Sequence, residues 1–166
     1  MRWRFTILVL CTAFLMVAQE ASAEQAMPPS PPLPPPFSYG APITLEQAKK
    51  VVAAAQAEAV RRKAKAVFAV VEPNGSLVYF ERMDGVQYSS IKIAQDKAIS
   101  AATFGRPTKT FRERVAKGDL SPMALAGAVW SDGGVPILVN GQVIGAIGSS
   151  GGADHDVSQA GADALK

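Results

Sequence analysis

Two Asn-Gly pairs restrict this chain more than any other feature in it. Asn74-Gly75 falls between the runs AVFAVVE and LVYFERM, and Asn140-Gly141 falls between PILVN and QVIGAIG. All four runs are rich in β-branched or aromatic residues, and Asn-Gly readily adopts the positive φ angles that a tight hairpin needs. Each pair therefore predicts two antiparallel neighbours. A further run, AGAVW at 126–130, brings the expected strands to five. Helical patterns surround them in the order helix, two strands, two helices, three strands, helix. Strands grouped with strands give an α+β domain, a five-stranded antiparallel sheet with helices packed on it.

The helices carry their own start and stop signals. Thr44 with Gln47 forms a capping box ahead of LEQAKKVVAAAQAEAVRRK. Leu45, Ala48, Val52, Ala55 and Ala59 then recur on one stripe, with Lys49, Lys50, Arg61 and Arg62 pointing away. In SSIKIAQDKAISAATF the cap is Ser89 or Ser90, and Ile91, Ala94, Ala98 and Ala101 share a face. Thr110 with Glu113 predicts a second capping box in TFRERVAKG, which stops at Gly118 and runs into a turn at SPMAL. ADHDVSQAGADALK closes the chain as a helix capped by Asp154.

Ahead of this domain lie two segments of different character. MRWR, then FTILVLCTAFLMVA, then Ala21-Ser22-Ala23 have the layout of a secretory signal peptide, residues 1–23, cut before Glu24. The apolar run falls short of a membrane span. Its removal takes away Cys11, the single cysteine, and with it any disulfide or thiolate metal site. Residues 24–42 read as a linker, within which MPPSPPLPPPF is an extended polyproline II spacer serving as a tether or as a proline-rich recognition segment. The folded domain is residues 43–166. Lys and Arg number 17 against 14 Asp and Glu, and no basic tract is clustered, which argues against nucleic acid as a partner. No later segment is apolar enough to span a membrane, so the expected location is the periplasm or the exterior.

The glycine-dense run WSDGGVPILVNGQVIGAIGSSGG invites a phosphate-binding reading. It lacks GxxxxGK[ST] and GxGxxG and follows a hairpin. Asp154 and Asp156 also already occupy the start of the following helix, where they repel an anion. The backbone amides of Ser149 to Gly152 remain the alternative. Gly145 and Gly148 mark places in a strand where a backbone or ligand comes close.

Catalytic machinery is hard to assemble. His155 is the single histidine, so a site of two or more histidines is excluded. It is either a surface residue or an axial ligand for haem or a metal. Asp84, Asp96, Asp119 and Asp132 fall at turns or on exposed helix faces, and no catalytic set is evident. Binding is easier to build. The stretch KIAQDKAISAATFGRPTKTF combines a smooth face (Ala98, Ala101, Ala102) with hydroxyls (Ser100, Thr103, Thr108). Aromatics (Phe104, Phe111) and cations (Lys92, Lys97, Arg106, Lys109) accompany them. Either the face packs on the sheet and the charges are solvated, or it receives a planar apolar molecule bearing carboxylates.

SLVYFERMDGVQYSSIKIAQDKAISAATFGRPT, followed by GGVPILVNGQVIGAIGSSGGADHDVSQAG, resembles the haem-binding (haem-degrading domain) GlcG–HbpS-like family over nearly all of residues 44–166. Its markers are the MDG turn, the KA-x-(T/S)-A helix, F-x-x-P-T, and the closing glycine-rich strand pair. The resemblance implies a profilin-like fold, self-association into dimers or larger assemblies, and haem as a possible cofactor. It also implies an extracytoplasmic protein partner. Matched onto this chain, it places Ser100, after Lys97 and Ala98, and Thr108, after Pro107, at the family's positions, while His155 stands where relatives commonly carry another polar residue. With the residues of the pattern above, Lys97, Ser100, Thr103, Phe104, Arg106, Thr108 and His155 are the candidate haem-binding residues. Met83, Tyr79 and Tyr88 are fallback ligands. A hydroxyl is a weak iron ligand, so haem held by Ser100, Thr103 or Thr108 would exchange easily. The expected function is a secreted or periplasmic haem or tetrapyrrole binder acting as sensor, carrier or scavenger, without evident catalysis. The alternatives are a binder or enzyme for a small organic acid or another flat cofactor, or an oligomeric accessory subunit.

Overall fold

The capping box at Thr44 forms as expected: the Thr44 hydroxyl accepts from the Gln47 N–H, and the Gln47 side chain accepts from the Thr44 N–H at 2.9 Å. From it runs α1, Leu45–Arg61. The computed structural model describes residues 37–166. The segment read as a signal peptide, 1–23, and the part of the expected linker up to Pro36 lie outside the described residues. Five strands and three further helices complete the domain. These are β1 (Ser38–Tyr39), β2 (Val67–Val71), β3 (Leu77–Arg82), α2 (Ser89–Phe104), α3 (Thr108–Ala116), β4 (Gly134–Val139), β5 (Gln142–Ser150) and α4 (Asp154–Asp163). A short 3₁₀ turn spans Ser121–Ala124, where SPMAL predicts a turn.

β5 is the spine of the sheet. It pairs antiparallel with β4 on one side (Val139↔Gln142 to Gly134↔Gly148) and with β2 on the other (Val71↔Ala146 to Val67↔Ser150). β2 pairs in turn with β3. Asn140 and Gly141 both have positive φ, 51° and 77°, so the β4–β5 hairpin closes in two residues as the dipeptide predicts. The first hairpin is looser. Glu72 to Ser76 bridge Val71 and Leu77, Gly75 has φ 90°, and Asn74 Oδ1 accepts from Ser76 N at 2.8 Å.

The fold is α+β with five strands and four helices, but the sheet is mixed rather than wholly antiparallel. AGAVW does not form a strand. Its Val129 N–H goes to the Ser100 hydroxyl at 3.0 Å, and the Trp130 indole N–H goes to the Pro122 carbonyl at 3.2 Å. With the Ala128 N–H given to the Leu125 carbonyl and the Val129 N–H to the Ser100 hydroxyl, the run lies against α2 instead of joining a ladder. The fifth strand is Ser38–Tyr39, from the segment read as linker, and it lies parallel to Gln142–Val143 of β5. Three cap expectations also change. α2 starts at Ser89 with Tyr88 as its N-cap residue and no side-chain cap bond, so Ser89 and Ser90 are inside the helix. α3 starts at Thr108, with Pro107 as its N-cap residue, so Thr110 is inside the helix. α4 begins at Asp154 after Ala153, which is left-handed at φ 52°.

Period-two alternation splits β2 between two cores. Phe68 and Val70 join Val52, Ala55, Ile147 and Val157 beneath α1 and α4. Val67, Ala69 and Val71 face Ala94, Ala98, Ala101 and Ala102 of α2. The second core is built of small residues, so helix and sheet approach closely. A Cβ placed on Gly148 would stand 2.0 Å from the Ala94 carbonyl oxygen and 2.6 Å from the Ala98 nitrogen. The glycine in the strand is therefore the seat of α2.

Candidate functional site

The residues that carry the sequence markers converge, but on a buried structural network. The Lys97 side chain is 2% exposed. Its ammonium donates to the Asp154 carboxylate at 2.7 Å and to the Ser149 carbonyl at 3.1 Å. The Ser158 hydroxyl donates to the Gly133 carbonyl at 2.7 Å and lies 2.8 Å from Ser149 Oγ. The Thr108 hydroxyl donates to the Ser131 carbonyl at 2.6 Å and accepts from the Gly134 N–H at 3.0 Å. Together these bonds clamp the Ser131–Gly134 turn between α2, α3 and the start of α4. In low dielectric, such bonds reinforce one another and hold a single geometry.

Of the two readings of the small-residue face of α2, packing on the sheet is the one the fold adopts, and among the described residues no slot opens along that face. Ala98, Ser100 and Thr108 are fully buried, and Lys97 is almost so. These side chains are sealed and satisfied, and none presents an atom to a ligand. Thr103 is exposed, but what it contributes is its carbonyl, which accepts from the Tyr39 hydroxyl at 2.9 Å. Phe104 packs edge-on against Phe111 with ring centroids 5.2 Å apart. The fallback ligands are separated as well. Met83 Sδ accepts from Ala66 N, and Tyr88 stands exposed with Arg82 over its ring at 5.0 Å. Tyr79 donates to Glu81 at 3.0 Å, and that hydrogen bond with burial raises its pKa and keeps it a neutral phenol.

Arg106 is the predicted residue that opens onto a cavity. A cleft of about 340 Å³ lies where the α2–α3 corner meets β4 and α4. Val135, Pro136 and Leu138 of β4, Ala162 of α4 and Phe37 form an apolar lining, with Gly105 and Thr110 beside them. Arg106, Lys166 and Asp163 supply the charge, with Gln159 next to them. Burial pushes the Asp163 carboxyl up, but hydrogen bonds from Lys166 and Gln159 outweigh it and hold the group below its ordinary range. Arg106 Nε donates to the Phe104 carbonyl at 3.2 Å. Among the described residues Arg106 makes no ion pair.

His155 lies one helical turn before Gln159 on α4, with Ala162 a further turn on. Its Nδ1 is buried without a hydrogen-bond partner among the described residues, an unusual state for a polar atom. A second, charged cleft of about 380 Å³ is lined by Gln56, Lys65 and Glu81 to Asp84. Met83 is the one apolar residue of that lining. Sequence reasoning missed Phe37, Leu138, Ala162 and Lys166 as cleft residues. The i, i+3 spacing of Gln159 and Ala162 on α4 is the available signal for that side of the cleft. Among the described residues no group of three His, Cys, Asp or Glu side chains is placed to hold a metal ion. No described helix is long and apolar enough to cross a membrane.

Fold and cleft together define a single α+β domain with a small, mostly apolar ligand-sized recess edged by cations. The family model described as haem degrading protein HbpS-like matches residues 43–164, and the chain belongs to that family. It is 36% identical over 108 residues to protein GlcG of Escherichia coli K12, an alignment covering 65% of this chain and 81% of that protein. A double mutant of HbpS from Streptomyces reticuli superposes with TM-score 0.69 at 28% identity, covering 85% of this chain and 99% of that one. The haem complex of PduOC shares the fold with TM-score 0.66 at 23% identity, covering 75% of this chain and 96% of that one.

Proposed function

We propose that this protein binds haem or a related tetrapyrrole outside the cytoplasm, as a sensor, carrier or scavenger. Family membership supports haem as the ligand, and the observation that carries its placement is the apolar cleft edged by Arg106, a cation without an ion-pair partner among the described residues. The residues fit the edge of such a group. Val135, Pro136, Leu138 and Ala162 would take its apolar face, and Arg106 and Lys166 its carboxylates. Haem would supply an iron centre for ligand sensing. The cleft lining itself offers no imidazole, thioether or thiolate. His155, four residues before the lining Gln159 on α4 and with its Nδ1 unpartnered among the described residues, is the side chain of that helix chemically suited to iron.

Titrating residues 24–166 with hemin, with absorbance and molecular mass recorded together, tests the reading. It predicts a shifted Soret band saturating at one hemin per chain. A spectrum that stays that of free hemin overturns it.

A second reading, a small organic acid in the same cleft, draws on the cleft's volume of about 340 Å³, near the lower end for small-molecule sites. In that case a simple carboxylate raises the melting temperature and hemin does not. Self-association is proposed alongside. Leu120, Met123, Leu125 and Trp130 are exposed around the loop that crosses α2, and clustered apolar surface of this kind favours a partner surface.

A further inference from the structure

Gly105 and Phe37 meet where no side chain fits between them. A Cβ on Gly105 would lie 2.5 Å from Phe37 Cγ and Cδ2, so the ring rests on bare backbone. The Arg106 guanidinium stands 5.9 Å from the centroid of that ring and 5.9 Å from the Phe111 ring. Bare backbone beside a cation with no carboxylate partner among the described residues is a surface that recognises a flat ring, and more so one bearing an acid group.

The segment that delivers Phe37 is anchored at its far end, where the Gly40 N–H donates to the Val143 carbonyl at 3.0 Å and the Ile43 N–H to the Ile144 carbonyl at 2.8 Å, and is held less firmly toward Phe37. β1 is two residues long and exposed, and its register with β5 rests on Ser38↔Gln142 and Tyr39↔Val143. Gln142 Nε2 donates to Ser38 Oγ at 3.1 Å, and the Tyr39 hydroxyl donates to the Thr103 carbonyl at 2.9 Å. Both side-chain bonds are exposed to water, which competes for them.

We infer that the Gly105–Arg106 corner is a ring-binding subsite, that Phe37 occupies it in the ligand-free chain, and that an entering planar aromatic carboxylate displaces the β1 strap. This rests on the reading of the cleft as the ligand site, and adds how that site is regulated. Where a built-in ring competes with a ligand, apparent affinity falls by the fraction of time the corner is free. Loosening the strap therefore tightens binding.

The test titrates residues 24–166 with hemin by absorbance and with pyrene-1-carboxylate, a flat acid without metal, by fluorescence. Wild type is compared with Tyr39→Phe, Phe37→Ala and Arg106→Gln, and thermal melting follows folding in each. Tyr39→Phe should tighten both probes about threefold and Phe37→Ala about tenfold. Arg106→Gln should weaken both about tenfold. Tyr39→Phe removes one exposed hydroxyl and keeps the test open if Phe37→Ala folds poorly. Unchanged or weaker binding in both strap variants overturns the inference, because a ring that is only a wall costs contact when it is lost. If pyrene-1-carboxylate responds as expected and hemin binds none of the proteins, the subsite stands and haem is removed as its ligand. Hemin bound equally by all four proteins leaves haem standing and removes the subsite.

Discussion

The Lys97 ammonium and the Asp154 carboxylate, 57 residues apart in sequence, meet at 2.7 Å beneath the turn that leads into β4. Lys97 is 2% exposed and Asp154 21%, so the two ends of the pair are unequally desolvated. A buried pair contributes little compared with apolar residues of the same shape, but orphaning one member is costly.

Asp154→Ala should therefore destabilise the domain more than Lys97→Met. It leaves the deeper charge with the Ser149 carbonyl as its remaining partner. We expect a loss of about 3 kcal/mol for Asp154→Ala and about 1 to 2 kcal/mol for Lys97→Met, read from urea unfolding. Hemin affinity of the folded Lys97→Met protein should match wild type. A large loss of affinity at intact stability would return Lys97 to the binding site.

Thr108→Val conserves shape and removes the hydroxyl that joins Ser131 to Gly134. The Gly134 N–H would be buried without an acceptor, a loss of about 2 kcal/mol. Amide hydrogen exchange at Gly134 should accelerate with it. Unchanged protection there would mean that the turn is held by its other contacts.

Gly148→Ala tests the close seat of α2. The backbone there does not require glycine; the constraint is space, with the Ala94 oxygen 2.0 Å from the added methyl group. Overpacking of this kind costs about 3 kcal/mol. Gly145→Ala should be costly as well, since its Cβ would reach 2.4 Å from the Val71 oxygen. Wild-type melting temperatures for both variants would show that helix and sheet can separate without penalty.

At the end of α1, hydrogen bonds from Arg61 and then Arg62 hold the Glu58 carboxyl at about 2, below its ordinary 4.5. Arg62 also reaches Asp156 of α4 at 2.7 Å. A depressed folded-state pKa adds stability that is fully present above the unfolded value and lost as pH falls through the folded one. Glu58→Gln should melt below wild type at pH 7, and the gap should close between pH 4.5 and about 2. A constant gap across that window would remove the ion pairs as its cause.

Much of this architecture was legible locally. The Thr44 and Gln47 cap, the alanine stripe of α2 and the Asn140-Gly141 turn each depend on residues within a few positions of one another, and all three formed. The errors came where side chains far apart took up backbone groups. AGAVW has strand propensity, yet the Ser100 hydroxyl takes its Val129 N–H. Thr110 has the spacing of a cap, yet the demand of the Ser131–Gly134 turn for the Thr108 hydroxyl accompanies a helix that starts earlier.

Sequence alone determined the α+β class, the family and the helices, because capping, periodicity and turn chemistry are short-range properties of the chain. Tertiary structure alone decided which marked residues are buried braces and which face a cleft. Lys97, Ser100 and Thr108 look from the sequence like ligand-binding groups, and only the approach of distant segments desolvates and satisfies them. Arg106 looks no different in sequence. It opens onto the cleft because Phe37, β4 and α4 converge beside it, and that convergence is a long-range outcome of packing.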